Sequence, residues 1–459
     1  MIRTKEELAA AARAIWAGIA GRDIRPRDRM AIPVQDMPCQ DPVSRGRNMS
    51  EVALGYTEEQ ARVEASRCIQ CRNAPCVPGC PVAIDIPGFI GKVRDGDYAS
   101  AAAIIQKTNL LPSICGRVCP QEVQCQLPCT LGKALGGVDK AVQIGRLERY
   151  VADWEAREGR TRAPQIAPDT GRRVAVIGSG PAGLTVAGDV RRAGHAVTIF
   201  EAFQKPGGVM VYGIPEFRLP KAIVQAETRV LEALGVRFRL NFLVGRTRPL
   251  LSLLSEDGFD AAFVGVGAGL PKFMEIPGEN LVGVFSANEY LTRANLMKAY
   301  DFQRSSTPIY PSRRVAVLGG GNVAMDSARM ALRLGAEEVR VLYRRTREEM
   351  PARAEEVEHA MEEGVRFDFL SSPVEILPDS VGKAAGLRVQ AFRLGDPDSS
   401  GRRSPVPIPG ALTEAPFDTV IVAIGNESNP LLARTSPGLA VDKRGRILVD
   451  KDQKSSLDR

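Results

Sequence analysis

Hydrophobic positions follow two different spacings along the chain, and the change between them divides it. Up to about residue 165 they recur at helical intervals, interrupted by loops rich in cysteine. Thr57, with Gln60 three positions later, forms a capping box that predicts the start of a helix. Residues 141–159 predict a longer helix, and the proline-containing residues 160–173 predict a linker.

After the linker, apolar strands alternate with helices, which predicts a parallel α/β sheet. One unit occurs twice, in residues 172–202 and 313–345: a basic pair, an apolar strand, a glycine loop, a helix and a second strand. Residues 263–272 and 420–427 each predict a buried strand that runs into a glycine turn. We expect the first segment to return the chain toward the first nucleotide domain, and the second to resume that domain after the inserted one. The expected domains are an α-helical domain (1–165), a first nucleotide-binding domain in two parts (171–305 and 409–459) and a second nucleotide-binding domain inserted between them (306–408).

The first glycine loop has the spacing of a dinucleotide site. Gly178 permits a tight turn, Gly180 lets backbone amides approach a pyrophosphate, and Gly183 lets the helix pack on the strand. Glu201 lies at the end of the next strand, where a carboxylate accepts a hydrogen bond from a ribose 2′-hydroxyl. A plain structural turn is the alternative, but the strand, loop, helix and acid together favour a dinucleotide.

The second loop is the G-x-G-x-x-A variant, with Gly319, Gly321 and Ala324. Tyr343 stands where the first unit has its acid, and basic residues follow. Guanidinium groups bind a 2′-phosphate that an acid would repel, so this site should prefer NADP(H). A solvent-exposed basic turn is the alternative. The basic residues are Arg344, Arg345 and Arg347. Two such sites in one chain suggest that the first binds a flavin nucleotide and the second a nicotinamide nucleotide.

The cysteines predict a metal centre. Eight of the nine lie between residues 68 and 129, and a large chain without an export signal is not expected to rely on disulfides. Their spacing is C-x2-C-x4-C-x3-C-P from Cys68, then C-x3-C-P-x4-C-x3-C from Cys115. Zinc sites more often show two C-x2-C pairs or histidine. A cysteine followed by proline is typical of ligands to neighbouring iron–sulfur clusters, so two [4Fe–4S] clusters are favoured over zinc.

Charge and composition argue against a nucleic-acid-binding protein and against a membrane protein. The net charge of +7 arises from 61 basic and 54 acidic residues spread along the chain, and aromatic residues make up only 5%. A nucleic-acid-binding face would need clustered basic residues with aromatics. No apolar run reaches the roughly 18 to 20 residues that cross a bilayer, and the N-terminal segment predicts an amphipathic helix. We therefore expect a cytoplasmic protein that binds neither nucleic acid nor membrane.

Several segments resemble one family over nearly the whole chain, the small (β) subunit of NADPH-dependent glutamate synthase. The chain is also similar to the large subunit of NADH-dependent reduced ferredoxin:NADP oxidoreductase and to the amino-terminal half of dihydropyrimidine dehydrogenase. The matching segments are CIQCRNAPCVPGCPVAIDIPGFI, ICGRVCPQEVQC, IGRLERYVADW, VIGSGPAGL, YGIPEFRLPK, SANEYLTRANLMKAY and YRRTREEMPA.

The resemblance implies a set of ligands for each cluster. From the residues alone, Glu148 is a helical carboxylate, and the resemblance makes it the fourth ligand of the second cluster. It also leaves Cys115 spare, although Cys115 stays open as the alternative ligand, and Cys39 lies outside the pattern. The first cluster would take Cys68, Cys71, Cys76 and Cys129, and the second Cys80, Cys119, Cys125 and Glu148.

The resemblance also implies how the nucleotides are held. No side chain is expected to act as an acid or base, and Asn322 could face the nicotinamide and the flavin. The implied contacts are Gly178, Gly180, Gly183, Glu201 and Arg218 for FAD, and Gly319, Gly321, Asn322, Arg344 and Arg345 for NADPH.

The implied function is that of an oxidoreductase subunit, moving electrons between NADP(H), FAD and two [4Fe–4S] clusters to a partner that forms glutamate. That partner would be the glutamate synthase large subunit. The first alternative is the large subunit of an electron-bifurcating ferredoxin:NADP oxidoreductase, paired with a ferredoxin–NADP reductase-like small subunit. The family chain would continue past Arg459 into a strand, a Gly-Asp turn and a helix at the flavin, so the second FAD-binding part is expected to be incomplete. A catalytically inactive docking module is therefore the second alternative.

Overall fold

The computed structural model describes residues 3–159 and 165–457. The N-terminal part is helical, as predicted, and Thr57 and Gln60 form the expected capping box at the start of α4. In the described residues there are three short 3₁₀ helices: Gln121–Val123, Val138–Lys140 and, later in the chain, Arg347–Glu349. The ten α-helices are α1 Lys5–Ile19, α2 Pro26–Met30, α3 Pro42–Arg45, α4 Glu58–Ser66, α5 Cys76–Gly79, α6 Ile86–Asp95, α7 Tyr98–Ile105, α8 Pro112–Val118, α9 Thr130–Leu135 and α10 Ile144–Arg157.

The helical domain packs around α10. This helix buries one face, which includes Leu147 and Val151, against the apolar faces of α6 and α7. Burial of such side chains stabilises the domain by roughly 1.5 to 3 kcal/mol each. Within the described residues, no helix is both long and apolar enough to cross a lipid bilayer. Of the predicted linker, residues 165–170 contain neither helix nor strand, and 160–164 lie outside the described residues.

The first nucleotide unit is a parallel four-stranded sheet with the order β3-β2-β1-β4. Its glycine loop lies between β1 and α11, as the repeat predicts. The elements are β1 Arg173–Ile177, α11 Pro181–Arg192, β2 Ala196–Phe200, α12 Val209–Tyr212, α13 Lys221–Ala233, β3 Arg237–Arg239, α14 Leu250–Ser255 and β4 Ala261–Val264.

The second unit is a parallel five-stranded sheet with the order β6-β13-β7-β8-β9, next to an antiparallel sheet of β10, β11 and β12. Its elements, and those that follow, are β5 Leu270–Pro271, β6 Val284–Ser286, α15 Ala287–Asn295, β7 Arg314–Leu318, α16 Asn322–Arg333, β8 Glu338–Tyr343, α17 Ala354–Glu362, β9 Arg366–Phe369, β10 Ser371–Pro378, β11 Ala384–Pro397, β12 Arg403–Pro416, β13 Thr419–Val422, β14 Asn426–Glu427 and α18 Leu431–Thr435.

The second sheet is wider than the predicted insertion of residues 306–408. Its strands β6 and β13 both lie outside that range, and β13 pairs with β6 on one side and β7 on the other. The expectation that β13 re-enters the first domain is therefore wrong. The chain leaves the second unit just after β13, where β14 pairs with β5. A buried parallel strand that ends in a glycine turn has the same sequence pattern in either sheet, so the pattern could not assign β13.

A buried ion network joins the helical domain to the second nucleotide unit. Its centre is Glu363, whose side chain is fully buried just after α17. Arg45 of α3 reaches it at 3.1 Å, and Arg329 and Arg333 of α16 each reach it at 2.7 Å. Burial opposes ionisation of this carboxyl, but Arg329 and Arg333 lower the pKa of Glu363 to about 2.

The same network extends into the first nucleotide unit. Arg218, which follows α12, forms buried ion pairs with Asp326 of α16 at 2.7 Å and with Glu356 of α17 at 3.1 Å. The ring of Phe217 lies beneath the guanidinium of Arg333, 3.8 Å from its centre. All three parts of the chain therefore meet at α16 and α17.

We predict that Glu363→Gln destabilises the protein by about 3 kcal/mol, because it leaves buried arginines without their shared anion. Urea unfolding of the purified protein measures this. Since the pKa is lower in the folded state, the contribution is complete above the unfolded value near 4.3 and is lost as the pH falls towards 2. The matched control is Glu337→Gln in an exposed ion pair with Arg313, where the expected loss is much smaller because water and salt screen the pair. Equal losses in both variants would contradict the prediction.

Candidate iron–sulfur and dinucleotide sites

Four cysteines of the helical domain border one small apolar cavity. Cys68 and Cys71 come from the loop after α4, Cys76 begins α5 and Cys129 caps α9. Burial raises the pKa of Cys76 to about 12, and the nearby Cys68 and Cys129 add to the effect. The other walls of this cavity are mainly apolar and include Ile86, Ile90, Leu131, Val142 and Ile144.

These thiols fit an iron–sulfur cluster better than a zinc ion. Buried, crowded thiols become thiolates at a cost that a bound metal centre offsets. Zinc needs its four ligands within about 2.3 Å of one point. The donors at this cavity are four cysteine thiols spread around its wall, which is the donor set of a [4Fe–4S] cluster.

A second group contains three thiols and a carboxylate. Cys80 follows α5, Cys119 caps the end of α8, and Cys125 lies in the loop that follows. Burial raises the pKa of Cys125, with further contributions from Glu148, Cys80 and Cys119. Burial and Cys119 together raise the pKa of Glu148 to about 8. Glu148 of α10 thus lies at the thiols and not on the surface, so this group also brings together four side chains that could hold a cluster.

The two remaining cysteines differ in their surroundings. Cys115 of α8 adjoins the second group: its sulfur lies within hydrogen-bonding reach of Cys119 and 3.7 Å from the side-chain oxygen of Asn109. Cys39 lies where the helical domain meets α17, and its sulfur is 3.8 Å from Nε2 of His359. Burial raises the pKa of Cys39 to about 11. Cys39 is outside both groups, and Cys115 borders one of them.

The first glycine loop is shaped for close backbone approach. Gly178 has a φ of +98°, and a Cβ there would lie 2.5 Å from the carbonyl oxygen of Gly265. A Cβ on Gly183 would lie 2.0 Å from the carbonyl oxygen of Gly178. Gly180, at the N-terminus of α11, faces open space. The first and third glycines are therefore required by packing, and the second leaves room for a pyrophosphate at the helix N-terminus.

Glu201 is buried at the end of β2 and is already engaged by the protein. It accepts hydrogen bonds from the backbone and hydroxyl of Ser179 and from the backbone of Phe203. A carboxylate offers about four acceptor positions, so about one stays available to a ribose hydroxyl. Sequence reasoning missed Ser179, because a variable position within the glycine motif carries no signal of its own.

The second loop shares this design, with one difference. A Cβ on Gly319 would lie 2.3 Å from the carbonyl oxygen of Ala423, while Gly321 faces open space and Ala324 is buried. The ring of Tyr343 packs against Gly320, and its hydroxyl donates to the carbonyl of Glu349. An aromatic ring thus fills the place that Glu201 has in the first unit.

The three arginines predicted for the second site differ in exposure and in their partners. Arg344 is exposed at the end of β8, and in the described residues it forms no hydrogen bond or ion pair. Arg345 is buried, at 2.6 Å from Asp398, and also donates to the carbonyl of Arg403. Arg347 is exposed and paired with Glu358. Of the two arginines assigned to the phosphate, only Arg344 has a free guanidinium.

Two other predicted contacts are occupied by the protein itself. The side-chain oxygen of Asn322 accepts from the backbone N–H of Arg353 at 2.9 Å. Arg353 in turn donates to the carbonyl of Arg117 and pairs with Glu122, both beside the second thiol group. In the described residues, the side chain of Arg218, assigned to FAD, makes its polar contacts with the second unit. Sequence reasoning missed Arg353, which joins the second glycine loop to the helical domain.

Comparisons with known proteins agree with this architecture. The family model described as dihydropyrimidine dehydrogenase domain II, 4Fe-4S cluster, matches residues 45–160, and the model of pyridine nucleotide-disulphide oxidoreductases matches residues 172–459. The small chain of NADPH glutamate synthase from Halomonas elongata is 37% identical over 91% of this chain and 88% of its own length.

Two other proteins are similar over part of their length. The β subunit of an NADPH-Fe(3+) oxidoreductase from Geobacter sulfurreducens is 37% identical, and the match covers 83% of this chain and 55% of that protein. The solved structure of FprA from Mycobacterium tuberculosis shares the fold of the nucleotide units, with a TM-score of 0.50 and 23% identity over 61% of this chain and 77% of its own. The chain belongs to the pyridine nucleotide-disulphide oxidoreductase family, in the branch of the glutamate synthase small chain.

Proposed function

We propose that this NADPH-dependent FAD and iron–sulfur oxidoreductase is the electron-delivering subunit of a glutamate synthase, and that its partner is the large subunit that forms glutamate. One observation carries the proposal: two thiol groups and two open glycine loops occur in one chain, with Arg353 in contact with both the second loop and the helical domain. When bound, FAD exchanges a hydride with NADP(H) and single electrons with the clusters.

In this function the residues of the nucleotide units bind and orient. The N-termini of α11 and α16 face the two pyrophosphates, with Gly180 and Gly321 leaving the space for them. Glu201 accepts from the ribose of FAD, and Arg344 pairs with the 2′-phosphate of NADPH. Arg345 does not contact the phosphate in this proposal; its ion pair with Asp398 stabilises the loop after β8.

The helical domain holds both clusters and carries the electrons to the partner. We assign Cys68, Cys71, Cys76 and Cys129 to the first cluster, and Cys80, Cys119, Cys125 and Glu148 to the second. We place the protein in the cytoplasm, where thiols stay reduced and free to bind iron.

A second candidate is a subunit of another NADPH-linked enzyme, since the Geobacter relative matches 83% of this chain with 55% of its own length. Reconstitution distinguishes the two. Mixed with a glutamate synthase large subunit, the chain should support glutamate formation from glutamine and 2-oxoglutarate with NADPH. Reduction of Fe(3+) without glutamate formation in that mixture would favour the second candidate.

We predict that the protein reconstituted with iron, sulfide and FAD loses its flavin absorbance at about 450 nm when NADPH is added anaerobically. Gly321→Val is the matched variant, because its side chain would fill the open space for the second nucleotide. It should bind FAD and be bleached by dithionite, yet not by NADPH. Unchanged absorbance of the parent protein on NADPH addition would refute the proposal.

We predict that Arg344→Ala raises the KM for NADPH about tenfold and leaves that for NADH unchanged, because only NADPH carries the phosphate. Steady-state reduction of an artificial electron acceptor measures both constants. The control is Arg313→Ala, an exposed arginine before the opposite end of the same sheet, which should change neither constant. An equal rise for both nucleotides would show that Arg344 does not recognise the phosphate.

A further inference from the structure

Asn109 lies between the two candidate fourth ligands of the second cluster. It is buried in the segment between α7 and α8. Its side-chain nitrogen donates to Oε1 of Glu148 at 2.6 Å. Its side-chain oxygen lies 3.7 Å from the sulfur of Cys115 and accepts from the backbone N–H of Leu111 at 2.9 Å. One amide therefore binds both candidates.

The orientation of this amide is fixed by its partners. The N–H of Leu111 can only donate, so the amide oxygen must face it, and the nitrogen then faces Glu148. The opposite orientation would place an amide nitrogen against another donor and an amide oxygen against a carboxylate. The two sides of Asn109 are thus chemically distinct: one offers hydrogens to the carboxylate and the other offers lone pairs to the sulfur.

The positions of both candidates are also fixed. Cys115 on α8 is followed by Gly116, and Glu148 on α10 is followed by Arg149. A Cβ on Gly116 would lie 2.6 Å from the backbone nitrogen of Arg149, so the two helices touch through their backbones at this point. Because α8 and α10 are in direct contact, neither helix can slide to bring one candidate closer and move the other away. Local interactions of the two side chains must therefore decide which of them binds iron.

We propose that Asn109 is a positioning residue that selects Glu148, and not Cys115, as the fourth ligand of the second cluster. The proposal rests on the proposed function, in that it takes the cluster as given. The amide N–H groups hold one carboxylate oxygen and leave the other for iron. The amide oxygen accepts the hydrogen of the Cys115 thiol, a bond that an iron-bound thiolate cannot make.

Loss of the amide should therefore exchange the ligand. With the cluster bound, Cys115 would replace Glu148 as the ligand: an Fe–S bond would take the place of the Fe–O bond, and the thiol proton would pass to solvent, with no change in the oxidation state of the cluster. Replacing an oxygen ligand by a thiolate changes the spectrum and the reduction potential of a cluster. The first cluster, with four cysteines of its own, serves as the internal reference.

The test uses the reconstituted full chain carrying Asn109→Asp, which keeps the size of the side chain and an acceptor for Leu111 but removes the donor to Glu148. We expect the EPR signal and the midpoint potential of the second cluster to move to values typical of four thiolates, with iron and sulfide contents unchanged. Asn109→Ala, which removes both bonds, should give the same signal. Adding Cys115→Ser to either variant should halve the iron and sulfide contents.

Two controls distinguish selection of the ligand by Asn109 from a purely structural role of this residue. Cys115→Ser alone should retain both clusters and the parent signal. Gln106→Ala removes another amide that donates to a carboxylate of α10, Glu155, and should leave both signals unchanged. An unchanged second-cluster signal in the Asn109 variants, its complete loss there, or its loss in Cys115→Ser alone would overturn the selection. If the parent protein binds no cluster at all, the proposed function itself fails.

Discussion

The buried ion network around Glu363 is the interaction on which the arrangement of the three parts depends. Ions removed from water are costly, and a buried pair is tolerated only when every charge is matched. Here four buried guanidinium groups meet three buried carboxylates, and a fourth carboxylate, that of Glu362, is partly exposed to water. The members of the network are Arg45, Arg218, Arg329 and Arg333 with Asp326, Glu356, Glu362 and Glu363. Separating the parts would leave each of them with unpaired charge.

This constraint acts through one helix. The N-terminus of α16 forms the second glycine loop, and its body carries Asp326, Arg329 and Arg333. The end of the helix that faces the nucleotide and the surface that joins the other two parts are therefore rigidly connected. An electron-transferring protein benefits from this, because orientation of the cofactors is the main contribution that the polypeptide makes.

The sequence predicted the features that repeat or have fixed spacing. The two strand–loop–helix units, the capping box at Thr57 and the helical character of the cysteine-rich domain are all present. It could not assign β13, because buried strands of both sheets have the same pattern. It also could not foresee that Asp326 and Asp398 engage Arg218 and Arg345, since such partners are distant in the chain and meet only in the folded protein.

The two thiol groups differ in their distance from the nucleotide units. The group that contains the carboxylate of Glu148 is the one beside these units. The cavity of the first group is bordered only by the helical domain. The second group adjoins Arg353, which also touches the second glycine loop. A hydrogen bond with Cys115 and the charge of Arg353 lower the pKa of Cys119, against the opposing effect of burial. In the proposed function, the cluster with the mixed ligand set is therefore the one that faces the nucleotides. In that proposal Asn109 would influence the reduction potential of this cluster alone, because its amide donates to Glu148 and, among the described residues, makes no hydrogen bond with the four cysteines of the first group.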